Sequence, residues 1–158
     1  MSITPQEFRA ALGRFTTGVT VVTTIDGQGR LHGITVSAFS SVSLQPPLVL
    51  VCIEKNTGSH YAFVESRRFV VNILSESQQH ISLQFASHIP NKFAGIEFYQ
   101  GIDGIPVLAG ALANLECRLT SSYEAGDHTI FVGEIENSVV RQGKPLVYFQ
   151  GNYRKLEN

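Results

Sequence analysis

The chain has 158 residues, of which 43% are hydrophobic and 16% charged, so it can bury one substantial core but is too short for two ordinary domains. With 12 Lys and Arg against 13 Asp and Glu, the formal net charge is -1, which excludes a broad basic surface for nucleic acid or anionic lipid. No apolar run approaches the length that spans a bilayer, and the start of the chain lacks a signal-peptide pattern. We therefore predict a single domain over residues 1–158 in a soluble, cytoplasmic protein that binds neither nucleic acid nor membranes.

The cysteine and histidine patterns argue against a disulfide scaffold and a metal site. Cys52 and Cys117 are isolated and form no CxxC pair. The 5 histidines show no regular ligand spacing, and the chain has no HExxH motif. We predict no metal site, and we expect each cysteine to be a small buried apolar residue.

The N-terminal segment predicts a helix followed by a strand and a turn. Thr4 and Glu7 have the spacing of a capping box, and Pro5 suits the first helical position. The strand is predicted over 19–24, which is rich in β-branched residues, and the turn over 26–29. The apolar face of the helix comprises Phe8, Leu12 and Phe15.

Six further apolar segments predict strands and make the fold mainly β. They are 32–39, 48–53, 69–74, 115–123, 128–137 and 146–149. Short helices are predicted over 61–65 and, from a capping box at Ser75 and Gln78, through Phe85. Residues 87–114 form a long irregular excursion, typical of a lid or a subunit contact. Because the strands follow one another through turns, the pattern indicates an antiparallel barrel and not a doubly wound parallel sheet.

Several common catalytic motifs do not occur in the chain. It contains neither a G-x-G-x-x-G turn nor a G-x-x-x-x-G-K-[ST] loop, which excludes the Rossmann and P-loop readings. It also lacks a G-x-S-x-G elbow, so acyl hydrolysis loses support. Any cofactor site must therefore be built in another way.

A cluster of small hydroxyl side chains follows the strand predicted at 32–39. Thr35, Ser37, Ser40 and Ser41 stand beside backbone N–H groups that a strand end leaves free. Such groups suit a phosphate or the polar edge of a flavin ring. The alternative is a strand end whose hydroxyls satisfy only their own backbone.

Two other segments could hold an anionic or aromatic ligand. Asn56 to Ser59 stand at a predicted helix start, where N–H groups and the helix dipole favour an anion, and Lys55 adds positive charge; an ordinary N-cap is the alternative. His128 follows the turn at Gly126 and Asp127, where it could contact a dinucleotide or stay exposed and idle. Aromatic walls could come from Phe85-Ala86 and Tyr153-Arg154, whose alternatives are a core aromatic and a surface pair.

Taken together and in order, five segments resemble the short-chain flavin reductase family, and the resemblance covers nearly the whole chain. They are FTTGVTVVT at 15–23, GITVSAF at 33–39, SVSL at 41–44 with PLVLV at 47–51, VNIL at 71–74 and GDHT at 126–129. Members of this family are the small components of two-component aromatic monooxygenases. The resemblance implies a split β-barrel of the FMN-binding type with a few peripheral helices, a homodimer, and the reduction of FMN or FAD by NADH or NADPH to supply a separate monooxygenase.

The resemblance also implies the roles of individual residues. The isoalloxazine and phosphate would be held by Thr35, Val36, Ser37, Ala38, Ser40 and Ser41. The phosphate and ribityl side would be lined by Cys52, Ile53, Glu54, Lys55, Asn56, Thr57, Gly58 and Ser59. Phe85 and Ala86 would close the pocket, and His128, with Tyr153 as a neighbour, would meet the nicotinamide. Relatives often carry Ala or Thr with Asn at the positions of Val36 and Ser37, which is a departure in this chain.

The chemistry that the resemblance implies is direct hydride transfer from nicotinamide C4 to flavin N5, for which no acid or base residue is essential. The absence of an arginine cluster that would suggest a 2′-phosphate site favours NADH.

Three alternatives stay open. The same barrel hosts flavin proteins that carry electrons without reducing free flavin and oxidases of pyridoxine phosphates, which should have a more basic phosphate site. A purely structural domain would bind no flavin.

Overall fold

Strands dominate the fold of residues 2–157, the part of the chain that the computed structural model describes. Residues 1 and 158, the ends of the predicted domain, lie outside it. The strands are β1 (Thr17–Gly18), β2 (Thr20–Ile25), β3 (Leu31–Val36), β4 (Phe39–Ser43), β5 (Leu48–Glu54), β6 (Arg68–Ile73), β7 (Phe98–Gln100), β8 (Pro106–Leu108), β9 (Ala113–Ala125), β10 (His128–Val140), β11 (Val147–Phe149) and β12 (Asn152–Arg154). The mainly β prediction is confirmed.

The main sheet of the described residues has seven antiparallel strands in the order β3-β2-β6-β9-β10-β5-β4. Its two edge strands, β3 and β4, are consecutive in the chain, so the sheet must curl until its edges meet. Ser37 and Ala38 make this connection, and the Cys52 N–H donates to the Ala38 carbonyl at 3.0 Å. The result is the split β-barrel that the family resemblance implies.

Helices and small sheets surround this barrel. The α-helices assigned within residues 2–157 are α1 (Pro5–Leu12), α2 (His60–Ser66) and α3 (Gln79–Ala86). A three-stranded sheet has the order β1-β11-β12, and β7 pairs with β8. Among the described helices, none has both the length and the apolar character needed to cross a bilayer.

Two apolar cores hold the barrel and α3 together. The first lies inside the barrel and includes Phe63 of α2, Phe69 and Phe131; the second lies between the barrel and α3 and includes Leu74 and Phe85. Strand β2 contributes to both, because successive side chains on a strand point to opposite faces. Its Val22 therefore packs into the first core and its Val21 into the second.

A buried amide network attaches the excursion at 87–114 to the barrel. Asn72 of β6 donates from Nδ2 to the Val21 carbonyl at 2.8 Å, and its Oδ1 accepts from the Leu108 N–H at 3.0 Å and from Asn114 Nδ2 at 2.8 Å. Asn114 Oδ1 in turn accepts from the Arg141 guanidinium at 2.6 Å. The excursion predicted as irregular therefore contains β7 and β8, and β8 is held on the barrel by side-chain hydrogen bonds that no periodic pattern reveals.

Local signals predicted the helix starts well and one strand badly. Both capping boxes are present, at Thr4 with Glu7 and at Ser75 with Gln78. The strand predicted over 32–39 is wrong in its extent, because the chain leaves β3 after Val36 and starts β4 at Phe39. Closing the barrel, and not a local breaker residue, sets that interruption.

Candidate functional site

An open pocket of about 780 Å³, called here the corner pocket, lies where the chain passes from β3 into β4. One wall is apolar and comes from α1 and the segment after it, with Phe8, Leu12 and Phe15. The opposite wall carries Ser37, Ala38, Ser40, Cys52 and His128. The pocket thus combines a broad apolar surface with a polar edge.

A smaller pocket of about 190 Å³, the side pocket, shares Ser37, Ala38, Cys52 and His128 with the corner pocket. Its other lining residues are Ile34, Thr35, Val36, Ile53 and Glu54. Segments distant in the sequence meet here because β5 lies between β4 and β10 in the sheet. In that register Phe39 lies opposite Val51, and His128 lies opposite Glu54.

The hairpin between β9 and β10 presents His128 to these pockets. Its Nδ1 lies 2.7 Å from Oδ1 of Asp127, and this hydrogen bond is the main cause that lowers the pKa of the Asp127 carboxyl. The Asp127 carbonyl accepts from the Lys55 N–H at 2.9 Å, and the Lys55 ammonium pairs with Glu124. This ion pair and its hydrogen bond lower the pKa of Glu124. The hairpin tip and the loop after β5 therefore form one connected unit.

The loop at 55–59 leads away from the side pocket to the start of α2. Among the described residues, the buried Thr57 hydroxyl has no hydrogen-bond partner, and a side chain added at Gly58 would meet open space. Ser59 is the N-cap residue of α2, but its side chain makes no capping hydrogen bond. The loop thus offers two hydroxyl groups that the helix itself does not use.

A third pocket, of about 700 Å³, is called here the cationic pocket because Arg30 and Lys92 line it together with His32, Gly58 and Ser59. The Lys92 ammonium donates to the carbonyls of Gly33, at 3.3 Å, and Phe85, at 3.0 Å, and burial lowers its pKa. Lys92 is thereby held beside the phosphate loop that the sequence predicts.

Asp26 is a buried carboxylate beneath the cationic pocket. Burial by itself would raise the pKa of Asp26, but hydrogen bonds from Arg30, His32 and Tyr61 outweigh it and hold that pKa well below its usual range. The hydrogen bond that the Tyr61 hydroxyl donates to Asp26 raises the pKa of Tyr61. The sequence predicts Asp26 only as part of a turn and indicates no role for Arg30, His32 or Lys92. The only signal was their polarity, since the contacts that join them span distant parts of the chain.

Several predicted site residues lie elsewhere. The expectation that the Phe85 side chain closes the pocket is wrong: its ring is fully buried in the second core against Phe93, because the inward face of α3 turns it toward Gly33, which has no side chain to exclude it. Ala86 is exposed at the end of α3. Tyr153 packs on Tyr148, and its hydroxyl lies 2.6 Å from Ser82 Oγ behind the pockets.

The remaining predicted residues divide between the pocket walls and the exposed surface. Ser41 is exposed on the edge strand β4, and Asn56 is exposed in the loop after β5. The sequence pattern predicts that the apolar residues of α1 share one face, but it does not indicate that this face belongs to a site. That face forms the apolar wall of the corner pocket instead of packing into the core.

The donor set fits a flavin mononucleotide or dinucleotide. A flavin needs hydrogen bonds along the polar edge of its ring, an apolar surface for the benzenoid end, an open face for the nicotinamide and a site for its phosphate. The corner and side pockets offer the polar groups, the apolar surface and the open face. The Thr57 hydroxyl, which has no hydrogen-bond partner among the described residues, and the cations of the neighbouring cationic pocket suit the phosphate.

Comparison with known proteins agrees with this geometry. The chain is 41% identical over 157 residues to the reductase subunit of a flavin-dependent monooxygenase from Rhodococcus jostii, covering 99% of this chain and 80% of that protein. It is 43% identical to an FMN reductase (NADH) of Agrobacterium fabrum, covering 96% of this chain and 86% of the relative.

Solved structures give the same result. An NADH:FAD oxidoreductase of Streptomyces globisporus, determined in complex with NAD and FAD fragments, superposes with a TM-score of 0.92 at 34% identity. The match covers 99% of this chain and 97% of that one. The family model described as flavin reductase like domain matches residues 12–157. This chain therefore belongs to the flavin reductase like domain family.

Proposed function

We propose that this protein is an NADH-dependent flavin reductase that supplies reduced FMN or FAD to a separate flavin-dependent monooxygenase. The observation that carries the proposal is the meeting of Ser37, Ala38, Ser40, Cys52 and His128 around one open corner pocket. The names of the relatives, an FMN reductase (NADH) and a reductase subunit of a flavin-dependent monooxygenase, support it.

In this proposal the flavin ring lies against residues 35–38 and Ser40, with its benzenoid end toward the apolar wall of α1. When bound, a flavin accepts a hydride from reduced nicotinamide. The chain contributes position: hydroxyl and backbone groups hold the ring edge, and the apolar wall excludes water from one side of it. The phosphate end of the flavin lies along residues 52–59, where the Thr57 hydroxyl has no other hydrogen-bond partner among the described residues.

We assign His128 to the nicotinamide nucleotide. It stands on the wall shared by the corner and side pockets, with its side chain 41% exposed, so a ligand can reach it while Asp127 holds its ring. Tyr153 lies one layer behind, hydrogen bonded to Ser82 of α3, and supports the site from the second core.

The test is NADH and NADPH oxidation by the purified protein with added FMN, FAD or riboflavin. We expect turnover with NADH that depends on flavin, and an oxidation rate above that of flavin and NADH without protein. A protein that binds flavin and accepts electrons once, without turnover of added flavin, would be an electron-transfer protein instead. A protein that binds no flavin would be neither.

We further propose that the protein is a homodimer. Within the described chain, none of the residues of α1 is buried, and Phe8, Leu12 and Phe15 are 54%, 55% and 77% exposed. An apolar face of this kind on a protein surface is typical of an interface. Light scattering after size exclusion should give a mass twice the 17.3 kDa of the chain, and a monomer at micromolar concentration would refute it.

Transfer of reduced flavin by diffusion is also proposed, together with a cytoplasmic location. The free thiols of Cys52 and Cys117 are consistent with a reducing compartment. Diffusive transfer predicts that an oxygenase separated from the reductase by a dialysis membrane still receives reduced flavin in anaerobic buffer. Cell fractionation tests the location.

A further inference from the structure

Hydrogen bonds to other strands fix the backbone where the chain passes from β3 into β4. The Val36 carbonyl, at the end of β3, accepts from the Thr20 hydroxyl of β2 at 2.6 Å. Two residues later, the Ala38 carbonyl accepts from the Cys52 N–H of β5 at 3.0 Å. Residues 36–38, called here the crossing, are therefore held at both ends by strands that the barrel brings to them.

Of these two contacts, only the one from Thr20 depends on a side chain. Thr20 is 4% exposed and lines the corner pocket beside Ser37 and Ala38. It lies in the segment at 15–23 that contributes to the family resemblance, whereas the polar flavin contacts assigned above come from other segments. Because a substitution can remove the hydroxyl and keep the backbone, Thr20 is the position at which the crossing can be released.

The direction of the Ser37 N–H follows from the Thr20 contact. The peptide between Val36 and Ser37 is trans, and the C=O and N–H of a planar trans peptide point in opposite directions. With its carbonyl turned to Thr20, this peptide directs the Ser37 N–H away from β2. Ser37 lines both the corner pocket and the side pocket, so the N–H is available to a ligand there. A rotated peptide would present the Val36 carbonyl instead.

Two neighbouring hydroxyl groups are engaged elsewhere, which makes the backbone more important as a donor. Thr35 Oγ1 donates to the Ser82 carbonyl of α3 at 2.6 Å, and Ser40 Oγ donates to the Ser41 carbonyl at 2.9 Å. Since a hydroxyl has a single proton, neither group donates to a ligand while these contacts persist. The polar edge of a flavin ring carries carbonyl oxygens and needs donors. The Ser37 N–H matches this need.

We propose that Thr20 is a positioning residue for flavin recognition: its hydroxyl holds the Val36 carbonyl inward and so presents the Ser37 N–H to a carbonyl oxygen of the flavin ring. This inference rests on the proposed function, and it assigns a role to a residue of β2 that acts through the crossing. Because the contact acts on the ring, it should affect flavins with and without a phosphate alike.

Thr24 offers a matched control on the same strand. Its hydroxyl donates to the Arg68 carbonyl at 2.7 Å, and the residue is buried. Thr20 and Thr24 stand an even number of positions apart, so their side chains point to the same face of β2. Thr24 lines none of the corner, side and cationic pockets. A Thr→Val substitution therefore removes the same kind of hydrogen bond at both positions, but only Thr20 has its acceptor in the crossing.

The experiment measures the dissociation constants of FMN and riboflavin by quenching of flavin fluorescence, without NADH, together with the urea midpoint. Thr20→Val and Thr24→Val should both lower the midpoint, because each leaves a carbonyl without its side-chain donor. Only Thr20→Val should weaken flavin binding, by about tenfold for FMN and for riboflavin alike, the loss expected for one hydrogen bond to the ring. Thr20→Ser, which keeps the hydroxyl, should bind both flavins close to the wild-type level.

Wild-type affinity in Thr20→Val, or an equal loss of affinity in Thr24→Val, would overturn the inference while the reductase function would stand. An effect confined to FMN would overturn it too, since the change would then act on the phosphate, and so would weak binding in Thr20→Ser. A wild-type protein that binds neither flavin would refute the proposed function and this inference with it. If Thr20→Val does not fold, Thr20→Ala removes the same hydroxyl with a smaller side chain, and Thr24→Ala is its control.

Discussion

Nδ1 of His128 lies 2.7 Å from Oδ1 of Asp127, the residue that precedes it in the two-residue turn between β9 and β10. This contact holds the His128 ring, which lines both the corner pocket and the side pocket. The Asp127 carbonyl accepts from the Lys55 N–H, so the loop after β5 and the turn that precedes His128 are linked through the backbone.

His128→Ala should weaken the use of nicotinamide and leave flavin binding largely intact. The imidazole is a wall residue of the corner pocket, whereas the flavin contacts assigned above come from other segments. We expect KM for NADH to rise about tenfold, the loss of one good hydrogen bond, with the dissociation constant of FMN changed less than about twofold. Asp127→Asn, which keeps the shape but removes the charge, should have a smaller effect of the same kind. Equal loss of flavin affinity in His128→Ala would show that His128 is part of the flavin site.

Thiol labelling should separate the two cysteines and locate the flavin. Cys117 is 2% exposed in the barrel core, and burial raises its pKa to about 12, so it should react only after unfolding. Burial also raises the pKa of Cys52, but this side chain is half-buried and lines the corner pocket. Iodoacetamide at pH 8 should modify Cys52 first, as measured by peptide mass spectrometry, and FMN should slow that reaction. Modification of Cys52 at the same rate with saturating FMN would contradict the assigned ring position.

Asn72→Leu should destabilise the protein without touching a pocket wall. It leaves the Val21 carbonyl and the Leu108 N–H buried without their side-chain partner. Each buried polar group left unsatisfied costs about 1–3 kcal/mol, so the free energy of unfolding should fall by at least about 2 kcal/mol. Urea denaturation gives this difference, with Asn152→Ala as the exposed control. An unchanged midpoint would mean that water replaces the amide.

The contribution of Asp26 to stability should disappear in acid. Because the pKa of Asp26 is lowered in the folded state, its stabilisation is complete above the unfolded value of about 3.9 and is lost as the pH falls from there toward the folded value. The difference in urea midpoint between wild type and Asp26→Asn should therefore be largest near neutral pH and shrink below about pH 4. A difference that stays constant down to pH 3 would show that the charge of Asp26 contributes nothing.

Local signals in the chain were sufficient for features that depend on neighbouring residues. The capping boxes at Thr4 and Ser75, the turn at Gly126 and Asp127, and the β-branched run that became β2 are each governed by contacts a few residues apart. The family resemblance added the split barrel, because five ordered segments define a topology better than any one of them. Phe85 shows the limit: the sequence indicates an apolar face of α3 but not which core receives it.

By itself the sequence determined the mainly β character, the helix starts, and the residue types from which a flavin site can be built. The tertiary structure alone decided that the strand at 32–39 is divided at Ser37 and Ala38, that α1 lines a pocket instead of a core, and that Asp26 contacts His32. Periodicity records which face of an element is apolar, but not what lies opposite that face. Closing the barrel sets those pairings, since it brings Ala38 beside Cys52 of β5 and the start of β3 beside the start of α2.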